Sequence, residues 1–210
     1  MDLAQVVSFL LALLATLTFH EASHALVAYY LGDPTAKMEG RLSLNPLKHL
    51  DPVGTIIFLI TWIVGWGKPV PVNARNFKHP VRDSALTALA GPVANLILAF
   101  AVAFLWKYLG EYMWAPFLLF VQTLFHMNVF LAIFNLFPFP PLDGSKILGL
   151  IIPRRWYPKY AEYLEKGMKY FVVIILIDVF IMGNVFNFSI FGFVLSYLHD
   201  RVSMILLLGT

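Results

Sequence analysis

The chain has 210 residues, of which 60% are hydrophobic and 13% charged, with a formal net charge of +3 at pH 7. An average soluble domain is roughly 45–50% apolar and about 25% charged, so a soluble globule, a disordered chain and a fibrous repeat are all excluded. Cysteine is absent, which removes disulfides, thiolate nucleophiles and thiolate metal sites and leaves His and carboxylate as the metal ligands.

The expected architecture is an all-α membrane protein, a polytopic helical bundle of about five transmembrane helices plus one re-entrant segment. Leu3–Phe19 carries no ionisable side chain, and the apolar pattern continues past His20, Glu21 and His24 to Leu31, where Gly32-Asp33-Pro34 stops it. The N-terminus lacks the basic start of a secretory signal peptide and is expected to be retained. Ser84–Trp106 and Tyr112–Pro141 are two further uncharged runs long enough to span. Tyr170–Met182 and Phe186–Leu198, divided by Gly183-Asn184, are expected to form a C-terminal helical pair. Pro52–Gly65 has only 14 residues between glycines, which suits a re-entrant segment better than a span. The expected organisation is a single domain over residues 1–210, with a catalytic core of about 1–150 and the helical pair at about 164–207.

The loops Gly32–Asp51, Gly67–Asp83 and Pro153–Lys169 hold 12 of the 15 basic residues. If Pro52–Gly65 dips in and returns, all three lie on one side, cytoplasmic by the positive-inside rule. Membrane orientation therefore accounts for the net charge, with no nucleic-acid partner, and Arg154–Lys169 reads as an anchor to acidic lipid. Trp66, Trp106, Trp114 and Trp156 near span ends are expected to form interface belts.

His20-Glu21-Ala22-Ser23-His24 reads H-E-x-x-H on the first helix. Residues four apart share a face, so both imidazoles can reach one metal ion, and Glu21 beside them is placed to take a proton from a water. Intramembrane charge is costly and is kept for function. A catalytic zinc wants a third protein ligand. His49 and His79 lie in polar loops, His199 lies near the C-terminus, and His126 lies mid-span. Asp143 has the better context, after the prolines 138, 140 and 141 that break the third long run and free carbonyls to line a cavity. A shared metal then requires the first and third long helices to run in the same direction, which the re-entrant assignment provides and a full span does not.

His-Glu-x-x-His together with Asn135-x-x-Pro138-x-x-Pro141-Leu142-Asp143-Gly144 resembles the site-2 protease family of intramembrane zinc metalloproteases. Gly67-Lys68-Pro69-Val70-Pro71-Val72-Asn73 and Ala90-Gly91-Pro92-Val93-Ala94-Asn95 are similar to its compact members, those without an inserted PDZ domain. The resemblance implies one zinc per chain on His20, His24 and Asp143, Glu21 as the base, Asn95 near the site, and transmembrane proteins in the bilayer as substrates. Asn95 and Asn135 are candidates for donating to the oxyanion, or equally for hydrogen bonding between helices. The setting is a cell membrane with the active site in its cytoplasmic half. The rival functions are a metal transporter or channel and a non-cleaving relative that binds membrane proteins. Gly91-Pro92 reads as a close-packing feature, Asp178 as a group near water, and Asp200-Arg201 as a local ion pair.

Overall fold

The computed structural model describes residues 2–61, 67–183 and 187–207. Its long elements are α1 (Leu3–Tyr30), α2 (Thr35–Met38), α3 (Pro52–Thr61), α4 (Pro80–Leu109), α5 (Ala115–Leu136), α6 (Asp143–Ile147), α7 (Tyr157–Leu176) and α8 (Ile190–Leu206). No strand longer than a single bridge occurs among the described residues. The protein is an all-α membrane protein.

Local chemistry sets the ends of these helices. Asp2 caps α1 in a reciprocal box, its Oδ1 accepting from Gln5 N–H at 2.8 Å while Gln5 Oε1 accepts from Asp2 N–H at 2.9 Å. Gly32, at φ 107°, turns the chain out of α1 as the sequence predicts. Helices α4 and α5 carry proline in the first turn, where no N–H is needed.

Helices α1, α4 and α5 form the core. Lipid tails are as apolar as leucine, so association in a bilayer rests on close packing and interhelical hydrogen bonds. Both are present. Small side chains are buried where the helices meet, among them Ala12, Ala25 and Ala28 on α1, Ala88 and Ala99 on α4, and Ala132 on α5. At mid-height Asn95 Nδ2 donates to Thr16 O at 3.1 Å and to Asn128 Oδ1 at 2.8 Å, and Asn128 Nδ2 donates to Thr16 Oγ1 at 3.0 Å. Thr16 thus meets Asn128 within α5, and further along α1 His20 and His24 meet Asp143 just past the end of α5. The two helices run in the same direction, as a shared metal requires.

The segment after residue 50 returns to its start. Leu50 and Gly67 form an antiparallel bridge and Lys68 N–H donates to His49 O at 2.9 Å. Between them α3 reaches back along α1, with Phe58 stacked on Phe9 at 6.1 Å. The rest of the expected re-entrant segment Pro52–Gly65, from residue 62 on, and Trp66 lie outside the described residues, as do Asn184 and Phe186.

Three helices among the described residues are long and apolar enough to cross a membrane: α1, α4 with its continuation to Tyr112, and α5. Helix α7 begins with charged residues, and its apolar end continues as the π-helical turn Ile177–Gly183. It packs along the α5–α6 turn: Gly167 lies against Pro140 and Phe171 against Phe139. Helix α8 is antiparallel to α5, with Phe191 on Phe134 and Phe137, and His199 further along on His126. It runs past Leu198 because His199, Asp200 and Arg201 are accommodated on its surface. Arg201 does not pair with Asp200 as the sequence suggests but stacks on Tyr197 at 5.1 Å, and Asp200 approaches His199 at 3.4 Å.

Candidate active site

Three elements converge where α1 passes the end of α5. The α1 spacing puts His20 and His24 on one face with ring centroids 4.6 Å apart. The proline-rich turn after α5 delivers Asp143 at the first position of α6. Its Oδ2 lies 3.1 Å from His20 Nε2 and 3.1 Å from His24 Nε2. One ligand atom from each residue falls within 4.8 Å of the others, and all three residues are buried.

The second ring nitrogens fix the tautomers. His20 Nδ1 is 2.6 Å from Asn95 Oδ1, and His24 Nδ1 is 2.7 Å from the carbonyl of Thr87. Both partners only accept, so each Nδ1 carries the proton and each Nε2 presents a lone pair to Asp143. Two imidazole lone pairs and a carboxylate oxygen facing one another repel unless a cation lies between them. The donor set, two neutral imidazoles and one carboxylate without sulfur, is one that zinc takes in catalytic sites.

Residues 87, 91 and 95 are four apart on α4, so one face of that helix supports both histidines. At Gly91 a Cβ would fall 2.5 Å from His24 Nε2 and 2.6 Å from His20 Cε1. The close packing expected of Gly91-Pro92 is therefore packing against the imidazoles themselves. Gly144 allows the α5–α6 turn to close, since a Cβ there would meet the carbonyls of Leu136 and Phe137.

Glu21 lies beside this cluster, half-buried, with Oε2 accepting from Val70 N–H at 3.2 Å. Lys68–Asn73 crosses the site as an irregular strap. Arg41 Nη2 donates to Lys68 O, and Asp33 Oδ2 accepts from Asn73 N–H at 2.7 Å. Burial would raise the Asp33 pKa, but bonds from Thr35, Asn76 and Asn73 outweigh it and hold the carboxyl below its usual range. A cavity of about 380 Å³ opens between strap and helices, lined by His20, Glu21, His24, Asn135, Asp143 and Lys146 among others.

The candidate residues are thus brought together unequally. Asn135 faces the cavity, with Nδ2 donating to Leu131 O at 3.0 Å and a second N–H to spare. Asn95 is fully buried behind His20, with its oxygen and its donors engaged by His20, Thr16 and Asn128. His126 and His199 lie together elsewhere, His49 Nε2 bonds to Ser43 O, and Asp178 caps α8. Thr87 O and Lys146 were not signalled by motif, and Val70 lies in the Gly67–Asn73 stretch without its N–H being singled out. The four-residue repeat 87, 91, 95 was the signal that could have linked α4 to the histidines.

Fold and site together define an integral-membrane metalloprotease. The family model of Peptidase family M50 matches residues 107–179, which include Asp143 but not the His-Glu-x-x-His stretch. The chain is 43% identical over 171 residues to YwhC of Bacillus subtilis (strain 168), covering 78% of each chain. It is 31% identical over 160 residues to MJ0611 of Methanocaldococcus jannaschii, covering 73% of each. With Rip2 of Mycolicibacterium smegmatis it shares 32% over 134 residues, 62% of this chain and 52% of that one, so it spans about half the length of that relative. All three are named as zinc metalloproteases. No solved structure matches the chain. The chain belongs to peptidase family M50, the site-2 protease family.

Proposed function

We propose that the protein hydrolyses peptide bonds within or near transmembrane helices of other membrane proteins, using one zinc ion held by His20, His24 and Asp143. The observation that carries the reading is the convergence of three buried lone pairs at 3.1 Å beside a carboxylate, Glu21, that opens onto a cavity. A metal transporter needs no such base, and a non-cleaving relative has no use for the complete set.

Zinc in that site would polarise the scissile carbonyl and bring the pKa of a water down toward about 7. The chain's own groups do the rest. Val70 N–H holds one oxygen of Glu21, leaving the other to take the proton of the attacking water and to return it to the leaving amine. The spare N–H of Asn135 is positioned to meet the developing oxyanion from the cavity wall. Asn95 acts one layer back, as a positioning residue that fixes the His20 tautomer. A substrate helix hides its carbonyls in internal bonds, so it must unwind before the cavity can take it. Gly, Asn or Pro near the cut should then speed cleavage.

The single domain spans residues 1–210, with its catalytic core in about 1–150, in a cell membrane with the site in the cytoplasmic half. The basic loops that flank the paired ends of the 51–66 segment support that side. The test is Glu21→Gln, which keeps size and hydrogen bonding but cannot accept the proton. It should retain one equivalent of zinc and lose about 10²–10⁴-fold in cleavage of a transmembrane reporter. Normal cleavage by that variant overturns the reading.

A further inference from the structure

A second pair of histidines lies outside the catalytic site. His126 on α5 and His199 on α8 approach with Nδ1 and Nε2 3.2 Å apart and ring centroids 5.2 Å apart. They open onto a cavity of about 640 Å³ between the two helices, whose polar rim is Thr123 and Ser196 and whose remaining walls are apolar. The His126 side chain is exposed although it sits midway along a helix long enough to span. An imidazole exposed at that depth is costly without a partner.

The geometry points to a binding site for a divalent transition-metal ion bridging His126 and His199, distinct from the catalytic centre and fastening α8 to α5. Two nitrogens bound to one tetrahedral ion at about 2.0–2.1 Å lie roughly 3.3 Å from each other, close to the separation found here. His199 is oriented for ligation. Its Nδ1 lies 3.4 Å from Asp200 Oδ1, which places the proton on Nδ1 and leaves Nε2 as a lone pair, as carboxylate-backed metal ligands have it. Without metal, His126 Nδ1–H donates to that lone pair. On metal binding the His126 proton moves to its own Nε2, so both facing nitrogens become ligands and no net charge is lost. Imidazole pairs suit zinc, nickel and copper rather than magnesium or calcium. Two protein ligands hold the ion less tightly than three, so this site fills after the catalytic one, with water completing the coordination from the cavity.

Equilibrium dialysis of the purified full chain in detergent against Zn²⁺ tests the site. The expected result is one tight equivalent and a second, weaker one. His126→Gln and His199→Gln should each weaken the second equivalent at least tenfold while keeping the tight one, which also reports that they are folded. Asp200→Asn should weaken it by about tenfold. Asp143→Ala should show the reverse pattern, losing the tight equivalent and keeping the weak one, so failure of the catalytic assignment and failure of this one are told apart. The proposal is overturned if wild-type protein binds no second equivalent, or if that equivalent survives unchanged in both glutamine variants. Mg²⁺ competing as well as Ni²⁺ for the second equivalent would also overturn it.

Discussion

The three-helix core and the C-terminal pair are both helical and both rich in apolar side chains, yet they hold together by different means. In the core, buried polar groups tie helices together: Asn95 bonds α1 and α5 from α4, and the Thr87 carbonyl on α4 orients a ligand on α1. The pair has no such lattice. Helix α7 touches the core along one stripe, Tyr160, Tyr163 and Gly167, and α8 rests on aromatic contacts and the two histidines. The lesson is that metal-ligand geometry is set by the core, while the pair packs on it from outside, α7 on the turn that carries Asp143 and α8 on α5. Substitutions should therefore fall in effect from the imidazole face outward.

The largest effect is expected at Gly91. A valine there puts side-chain carbon into the volume of both imidazoles, so neither can keep the position from which it meets Asp143. Gly91→Val should lose nearly all zinc and activity, read by elemental analysis and reporter cleavage. Full zinc content in that variant would break the claim that α4 sets the ligand geometry.

Next comes Asn95→Ala, which frees His20 Nδ1 and strands Asn128 Oδ1 in a dry interior. Outer-shell partners of metal-bound histidine typically account for 10–100-fold in affinity, and each buried unsatisfied group costs about 1–3 kcal/mol. Zinc affinity should fall by that factor in a chelator competition. If instead zinc binding is unchanged and turnover alone falls, Asn95 touches substrate, and its assignment as a positioning residue fails.

How much of this was legible beforehand follows from which atoms do the work. The His-Glu-x-x-His spacing is one helical turn, so its ligand pair can be read without a structure, and the proline break before Asp143 marks a turn that must line a cavity. That 52–65 is short of a comfortable span was legible from its 14 residues, and the pairing of Leu50 with Gly67 brings its flanks together. The Thr87 carbonyl and the Val70 amide were not legible, since every residue has such groups and only the α1–α4 register and the path of the strap select these two. The contacts of α7 were not legible either, since only the packed structure sets the stripe Tyr160, Tyr163, Gly167 and Phe171 against the α5–α6 turn.

A smaller effect should appear with pH at the strap. Asp33 titrates below the ordinary carboxylate pKa of about 3.9 when folded, so it stabilises the strap fully above that value and loses the contribution as pH falls through its depressed folded pKa. Hydrogen exchange at Asn73 and Asn76 should quicken only in that acid range. Asp33→Asn should show quick exchange already at neutral pH, because an amide cannot accept from both Thr35 and Asn73 with its two ends. An unchanged pH profile in Asp33→Asn would assign the acid effect to another group.

Tyr160→Phe probes the joint between the two regions. The Tyr160 hydroxyl donates to Ser145 O at 2.9 Å and lies 3.0 Å from Lys146 O, within the turn that begins at Asp143. Its removal should cost about 1 kcal/mol, seen as a several-fold drop in zinc affinity with the proton-transfer pH profile unmoved. No change at all would mean that α7 leans on the turn without holding it.

The smallest effect at the metal is expected from Asp178→Ala, and it is the sharpest test of the division between regions. Asp178 accepts from Ile190 N–H at 2.8 Å, Phe191 N–H at 3.2 Å and the Ser189 hydroxyl, so it closes the α7–α8 connection by satisfying the orphan donors at the start of α8. Loss of such a cap costs about 0.5–2 kcal/mol, which corresponds to roughly 2–30-fold faster local hydrogen exchange at residues 190–192. Since α8 contributes no ligand and Asp143 is held by α5, α6 and Tyr160, zinc content and thermal stability of the core should stay as in the wild type. If zinc is lost together with the cap, the pair is not an outlying unit but part of the scaffold of the metal site, and the ranking from Gly91 outward collapses at its far end.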